Sequence, residues 1–477
     1  MDKTSIIFNN IIDNKTIKKA NKSKLKYQKK FGDDSNKDYT LGLKDITTLD
    51  FINAKKVIFT DSNQEFPKNS LIIGNIRMGF GHYRISIAMA SCAKALGYTP
   101  IWLDLASFEA TGSKMIRYQN SLYSLASRIS QKSHLFNHFI WEPLNKEGFK
   151  KLTYNAIDQK NSENLIPIFK NIPKNIPFIA THVWDSQGAI HAGMTNVLNA
   201  IPDNWPMALH LSEGAIHTVQ TEYAYLGYKM LNGFSKKPLN GMSSNDLKMV
   251  GHYVDHEIVS NLDNDNKERL FRINNNKPIR ILLTVGGAGA GVNQFIEIVN
   301  HLMSFVKDNK VTLFINFGDH DVLYNTLLKK IKEFKNYQCF FNEYNKFKEF
   351  LNNIDNNLTG IYSIYNKDIF KAVYSTNLLM RYSDILVTKP SELVFYPIPK
   401  VFMRHIGGHE AYGAIHGSEL GDSTFECSEI NKLKEMLTRL LTDKEILVHM
   451  IERINKLNNE NYYNGAYECV KLAIKGK

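Results

Sequence analysis

The six residues Gly286-Gly-Ala-Gly-Ala-Gly291 offer the sharpest chemistry in the sequence. They follow an apolar run and precede a helical pattern, and they carry no side chain that would block a ligand. Backbone N–H groups and the positive end of the next helix are then free to hold phosphate oxygens, with Gly286, Gly287 and Gly289 as the expected contacts. No Gly-Lys-Ser/Thr is present, so this is not an ATPase P-loop, and the spacing is too compressed for a dinucleotide fingerprint. The alternative is a purely structural turn. A matching turn, Gly79-Phe-Gly-His82, ends on a histidine. With Gly79 and Gly81 beside it, His82 falls at a helix start, where the helix dipole disfavours the imidazolium and leaves a neutral general base. A histidine that only caps or packs the helix is the competing reading.

Asp384-Ile-Leu-Val-Thr-Lys-Pro-Ser-Glu392 reads as a strand stopped by Pro390, which places Lys389, Ser391 and Glu392 at its end. A second strand, Lys400 to Phe402, leads to Met403-Arg-His-Ile-Gly-Gly-His-Glu410 and brings His409 and Glu410 to the same edge. In the first half, Thr181-His-Val-Trp-Asp185, His191 and Leu211-Ser-Glu-Gly-Ala-Ile-His217 follow expected strands at Phe178–Ala180 and Met207–Leu209. His182, Trp184 and His217 are candidates for acceptor binding, and each has a reading as a satisfied buried polar group. The pairs His252/His256 and His405/His409 have zinc-chelating spacing, but neither is HExxH and Gly407-Gly408 opposes a helix. No metal site is expected.

The elements that must position these groups repeat. Leu71–Ile76 reads as a strand, the turn follows, Tyr83–Leu96 has helical spacing, and Pro100–Leu105 is a second strand. About two hundred residues later the order returns: strand Ile279–Val285, glycine turn, helix Val292–Val306, strand Val311–Asn316. This is the grammar of parallel α/β units. The expected organisation is a Lys-rich extension at 1–68 that is partly mobile, a first α/β domain at 69–262, a polar linker, a second α/β domain at 277–430 and closing helices at 431–477.

The chain has 477 residues, 43% apolar and 22% charged, enough to bury a sizeable core. No apolar stretch reaches the roughly 18 residues that span a membrane, and Met1-Asp-Lys-Thr-Ser does not resemble a secretion signal. Four scattered cysteines exclude a disulfide scaffold, so a cytoplasmic location is expected. Eight lysines between Lys15 and Lys30, with no acid among them, supply eight of the net +12 charges and leave +4 for everything else. They read as a solvated tail or as an arm drawn to anionic lipid. Nucleic acid is not expected, because no stacking platform accompanies the lysines.

These motifs resemble those of the GT-B glycosyltransferases, above all the monogalactosyldiacylglycerol synthases and the bacterial N-acetylglucosaminyltransferase that acts on lipid-linked peptidoglycan precursor. The similarity rests on Gly79–His82, on Thr284–Gly291, on Ser383–Ser391 and on His409-Glu410, where His409 stands in place of the families' Gln. The whole chain also resembles a bacterial group that shares the Met78–Arg84 and Val387–Leu393 stretches. The resemblance implies an α/β fold of two Rossmann-like domains facing a central crevice (GT-B type), closed by C-terminal helices. It further implies a metal-independent hexosyltransferase with no cofactor, moving a sugar from a nucleotide-sugar, UDP-linked in those families, to a lipid or other envelope acceptor. Peripheral contact with the inner face of an anionic membrane would suit such an acceptor. In this scheme His82 is the base, with Glu213 or Asp185 in reserve, and the glycine turn holds the diphosphate. Lys389, Ser391, Glu392, His409 and Glu410 complete the donor site. A hydrolysing nucleotide-sugar epimerase and a non-catalytic sugar-nucleotide-binding protein are the alternatives.

Overall fold

Strand Ser70–Asn75 is buried along its whole length, as a run of this kind must be when helices cover both faces of a sheet. It pairs in parallel with Thr99–Asp104 on one side and Phe178–Ala180 on the other. The sheet continues in parallel through Val197–Ala200, Ile216–Val219 and Leu247–Met249. Its other edge is Lys55–Phe59 followed by the antiparallel Leu41–Asp45, which makes eight strands. The structure is a computed structural model that describes residues 3–49, 51–77, 79–132, 143, 149–285, 292–331, 333–334, 337–405, 408 and 410–476.

The second sheet is built around Ile279–Thr284, also buried throughout. Its seven strands run in the order Gln338–Phe341, Gly360–Tyr365, Val311–Asn316, Ile279–Thr284, Ile385–Thr388, Lys400–Met403, Ser423–Cys427, all parallel. The strand order reverses between Ser70–Asn75 and Phe178–Ala180 in the first sheet and between Ile279–Thr284 and Ile385–Thr388 in the second. Ligands of open α/β sheets bind outside the carboxyl ends of strands at such a reversal. The two reversals face each other, so the expected pair of Rossmann-like domains is present. Among the described residues, no helix is long and apolar enough to cross a membrane.

Four expectations are corrected. The described residues of 3–68 are folded rather than a mobile arm. An antiparallel hairpin, Ile6–Ile7 with Asn10–Ile11, leads into helix Asn14–Phe31, whose first turn is capped by Asp13 accepting from Thr16 N at 2.9 Å. The following segment supplies the last two strands at one edge of the first sheet. The polar stretch read as a linker is largely helix Leu262–Asn274, locked to the second domain by buried arginines. Arg272 reaches Asp384 Oδ1 at 2.8 Å and Arg269 donates to the Ser383 and Met380 carbonyls. Met207–Leu209 is not a strand; a short 3₁₀ turn, Ala208–His210, crosses there. Finally, the closing helices divide. Ile430–Thr442 and Lys444–Asn459 pack on the second domain, whereas Gly465–Lys475 returns to the first and lies on helix Gly81–Ala95. Gly465 N donates to the His252 carbonyl at 2.9 Å, and a Cβ at position 465 would lie 2.2 Å from the Gly251 carbonyl oxygen. Glycine is required at that crossing.

Candidate functional site

At the first domain's reversal, Thr181 caps the end of its strand by donating from its N–H and its hydroxyl to the Gly74 carbonyl at 2.9 and 3.1 Å. Ser86 on helix Gly81–Ala95 meets the same hydroxyl at 2.9 Å. The Thr181 carbonyl is therefore held in place, and His82 Nδ1 lies 2.6 Å from it. A carbonyl only accepts, so Nδ1 carries the proton and Nε2 keeps its lone pair. Among the described residues nothing bonds to Nε2. Burial lowers the His82 pKa, opposed by the Thr181 carbonyl and by the carboxylates of Asp203 and Glu392. The ring is thus neutral and oriented, the state a general base needs. Gly79 makes the preceding bend at φ +84°, a left-handed conformation that favours glycine, with open space where its Cβ would be.

Glu392 comes from the other domain, on the short 3₁₀ segment Glu392–Phe395 that follows strand Ile385–Thr388. A Cβ on Gly81 would lie 3.4 Å from its Oε2, and Arg84 Nε stands 3.9 Å from its Oε1. Arg84, only 2% exposed, crosses the domain boundary and bonds the Asn377 side chain. Beside Glu392, Lys389 pairs with Glu410. Burial works against the Lys389 charge, but the Glu410 and Glu392 carboxylates outweigh it and hold the pKa above its usual value. Ser391 N donates to the Lys389 carbonyl at 2.8 Å, which turns the chain so that 389 and 392 share the same end of the strand. Thr284 and Thr388, the last residues of the two strands at this reversal, are joined through their hydroxyls at 3.3 Å. Gly286, Gly287, Gly289 and His409 lie outside the described residues.

His182 caps helix Val183–His191, its Nδ1 accepting from Trp184 N at 3.2 Å, and its ring meets His82 edge-on at 5.0 Å. Burial, with His82 and His210 close by, holds its pKa well below the ordinary range, as an accepting Nδ1 requires.

Four expected site residues lie elsewhere. The Asp185 carboxyl is enclosed against Gly74, and burial holds its pKa well above the usual carboxylate range. Trp184 belongs to the apolar core behind the first sheet. Glu213 and His217 sit at the amino end of strand Ile216–Val219, opposite the edge that carries His82. Glu213 accepts from Phe8 N at 2.6 Å under the N-terminal hairpin, and His217 Nε2 accepts from Ser212 N at 3.0 Å. Their polar signals reflect folding needs.

Other residues at the boundary were missed in the sequence. Arg77 pairs with Asp319 across the domains at 2.6 Å. Phe80 lies against Gly318, where a Cβ would be 2.7 Å from the ring. Trp205 of the first domain packs against Tyr412 of the second, with ring centroids 4.2 Å apart and the planes tilted. Glycine at 318, at φ +60°, was the one available signal. Among the described residues, no group of three His, Cys, Asp or Glu side chains is placed to hold a metal ion.

No curated protein matches the chain. Among solved structures, the chain is similar to the UDP-GlcNAc 2-epimerase from Neisseria meningitidis bound to UDP-GlcNAc, at 13% identity, 85% of this chain and 100% of that one, with a TM-score of 0.44. It is similar to S. aureus MnaA in a structure with UDP, at 11% identity, 85% and 97% coverage and a TM-score of 0.45. It is also similar to an α,α-trehalose-phosphate synthase (UDP-forming) from Burkholderia xenovorans in complex with glucose-6-phosphate, at 13% identity, 67% and 77% coverage and a TM-score of 0.34. By family, residues 6–230 match the model of one domain of unknown function (DUF6937) and residues 242–474 that of a second (DUF6938).

Proposed function

We propose that the chain is a metal-independent glycosyltransferase that moves a sugar from a nucleotide-sugar to a hydroxyl of a lipid or other envelope acceptor, working in the cytoplasm at the inner face of the membrane. The observation that carries the reading is the neutral, tautomer-fixed His82 beside Glu392, with Lys389 and Glu410 completing the opposite domain's edge. His82 Nε2 takes the acceptor proton as its oxygen attacks the anomeric carbon. The bond from that carbon to the diphosphate breaks, and the nucleoside diphosphate leaves with the electron pair. The Lys389 ammonium offsets charge on the leaving group, together with the amides of Gly287 and Gly289 in the glycine turn. Glu392 and Glu410 receive ribose and sugar hydroxyls.

A second reading, a hydrolysing nucleotide-sugar epimerase, has one observation in its favour. Glu213, Asp185, Trp184 and His217 are turned away from the boundary, so four residues expected to serve the acceptor or its deprotonation do not line it. Thermal-shift measurements against nucleoside diphosphates and their sugars test donor binding, and product analysis with and without an acceptor separates the two reactions. Stabilisation by about 2.7 kcal/mol is expected when a nucleotide is present at a hundred times its Kd. Gly289→Val should abolish it by filling the cradle. An unchanged response in that variant refutes the donor site, and a free monosaccharide formed without acceptor moves the assignment to the epimerase.

A further inference from the structure

Helix Asn14–Phe31 buries one side and offers the other as a row of uncompensated charge. Thr16 and Ala20 are buried, and Ile17, Tyr27 and Phe31 are half-buried on the same side. The inner side rests on helix Leu152–Ser162 and, through Phe31 and Tyr118, on helix Thr111–Lys132. Lys24 turns inward and pairs with Glu163 at 2.6 Å, and Lys30 lies over the Tyr118 ring, 3.3 Å from its centroid. Lys15, Lys18, Lys19, Lys22, Lys26, Lys29 and Lys30 are all exposed, and among the described residues none of them forms an ion pair.

The row is not purely charged. Leu25 is 62% exposed, three residues after Lys22 and four before Lys29, so it stands among the lysines. Ile11 is 86% exposed in the strand just before the helix. In water the fold gains nothing from exposing Leu25 on the outer side of this helix or Ile11 in the strand before it. Both would be accommodated at a surface that is anionic and also admits hydrocarbon.

We propose that the outward face of helix Asn14–Phe31 docks on an anionic lipid bilayer, with its lysines at the headgroups and with Leu25 and Ile11 dipping between them. The capped, packed helix presents about 27 Å of this row as one rigid surface, so the charges need no ordering when they meet the membrane. A nucleic-acid duplex matches the charge but gives Leu25 and Ile11 nothing to enter. The surface stands independently of the chemistry between the domains, although it would bring that chemistry to a lipid acceptor.

The test is co-sedimentation of the full chain with vesicles of phosphatidylcholine alone, and with vesicles containing about 30% phosphatidylserine. Binding is expected to the anionic vesicles only, and release is expected in high salt as the charges are screened. Lys18→Glu, Lys22→Glu and Lys26→Glu together should weaken partitioning at least about 100-fold, at roughly fivefold or more per lysine. Leu25→Ser should weaken it several-fold and leave the salt dependence intact. All four side chains are exposed, so melting temperature and nucleotide response should stay at parental values. Lys18→Gln, Lys22→Gln and Lys26→Gln provide a second triple variant should the reversed charges disturb the helix. Equal sedimentation with neutral and anionic vesicles, parental binding by both triple variants, or displacement from vesicles by a DNA duplex at matched phosphate would each overturn the proposal.

Discussion

Glu392 of the second domain stands against Gly81 of the first, so near that a Cβ at 81 would lie 3.4 Å from the Glu392 Oε2. The residue before the candidate base and a candidate donor contact therefore share one boundary. A methyl group at that distance makes ordinary contact, so Gly81→Ala should retain turnover. A branched side chain has to displace Glu392 or part the domains. Gly81→Leu is expected to lower turnover about 10²-fold, since small misplacements of reacting groups are that costly. The melting temperature, measured alongside, should fall little.

His82→Gln should lower turnover by about 10²–10⁴-fold while nucleotide affinity barely changes. The pH profile is a sharper check. A base must be neutral to act, and burial places the His82 pKa below 6.5, so activity should persist below pH 6.5 and fall only on further acidification. An acidic limb above pH 6.5 would refute the assignment of His82 as the base.

Lys389 keeps its charge because two carboxylates offset its burial. Lys389→Met removes one charge-assisted contact to a diphosphate, worth about 1.5–3 kcal/mol, so nucleotide affinity should weaken about 10- to 100-fold. Calorimetric titration with a nucleoside diphosphate measures it directly.

Lys400 and Asp422 form a pair at 2.7 Å with both side chains fully buried, and Lys400 also donates to the Tyr396 and Ile398 carbonyls. Removing one partner strands the other charge, so Asp422→Leu should cost about 3–5 kcal/mol in denaturant unfolding. The double change Lys400→Met with Asp422→Leu should recover much of that loss.

Asp158, in helix Leu152–Ser162, has its pKa raised to about 7 by burial, with Trp184 opposing. The folded state therefore binds a proton that the unfolded chain releases near pH 4. This contribution to stability is complete below about pH 4 and is lost as pH rises to about 7. Asp158→Asn should flatten that loss and leave the protein about 1–3 kcal/mol more stable than the parent at pH 8. Melting temperatures from pH 4 to 8 give the comparison.

Local pattern made the sheets and their turns legible, because buried strands such as Ile279–Thr284 and a glycine turn need no distant partner to be recognised. His82 and Glu392 were placeable for the same reason: each lies just past a short turn after its strand. Misreadings arose where a residue's setting is set by remote chain. Lysines at 15–30 suggest a mobile arm until Ile17, Tyr27 and Phe31 are seen packed on residues over a hundred positions away. Glu213 and His217 carry catalytic residue types, yet the strand that follows Glu213 and includes His217 runs away from that end toward the crevice edge. Arg84 was invisible as a site residue, since its partners Asn377 and Glu392 lie about 300 positions on.

The return of helix Gly465–Lys475 to the first domain means that the backbone passes between the domains twice, once near His256 and once near Tyr463. Two adjacent covalent straps make a door hinge rather than a tether. Twisting or separation of the domains would stretch a strap. A single proteolytic cut at either passage would leave the halves joined.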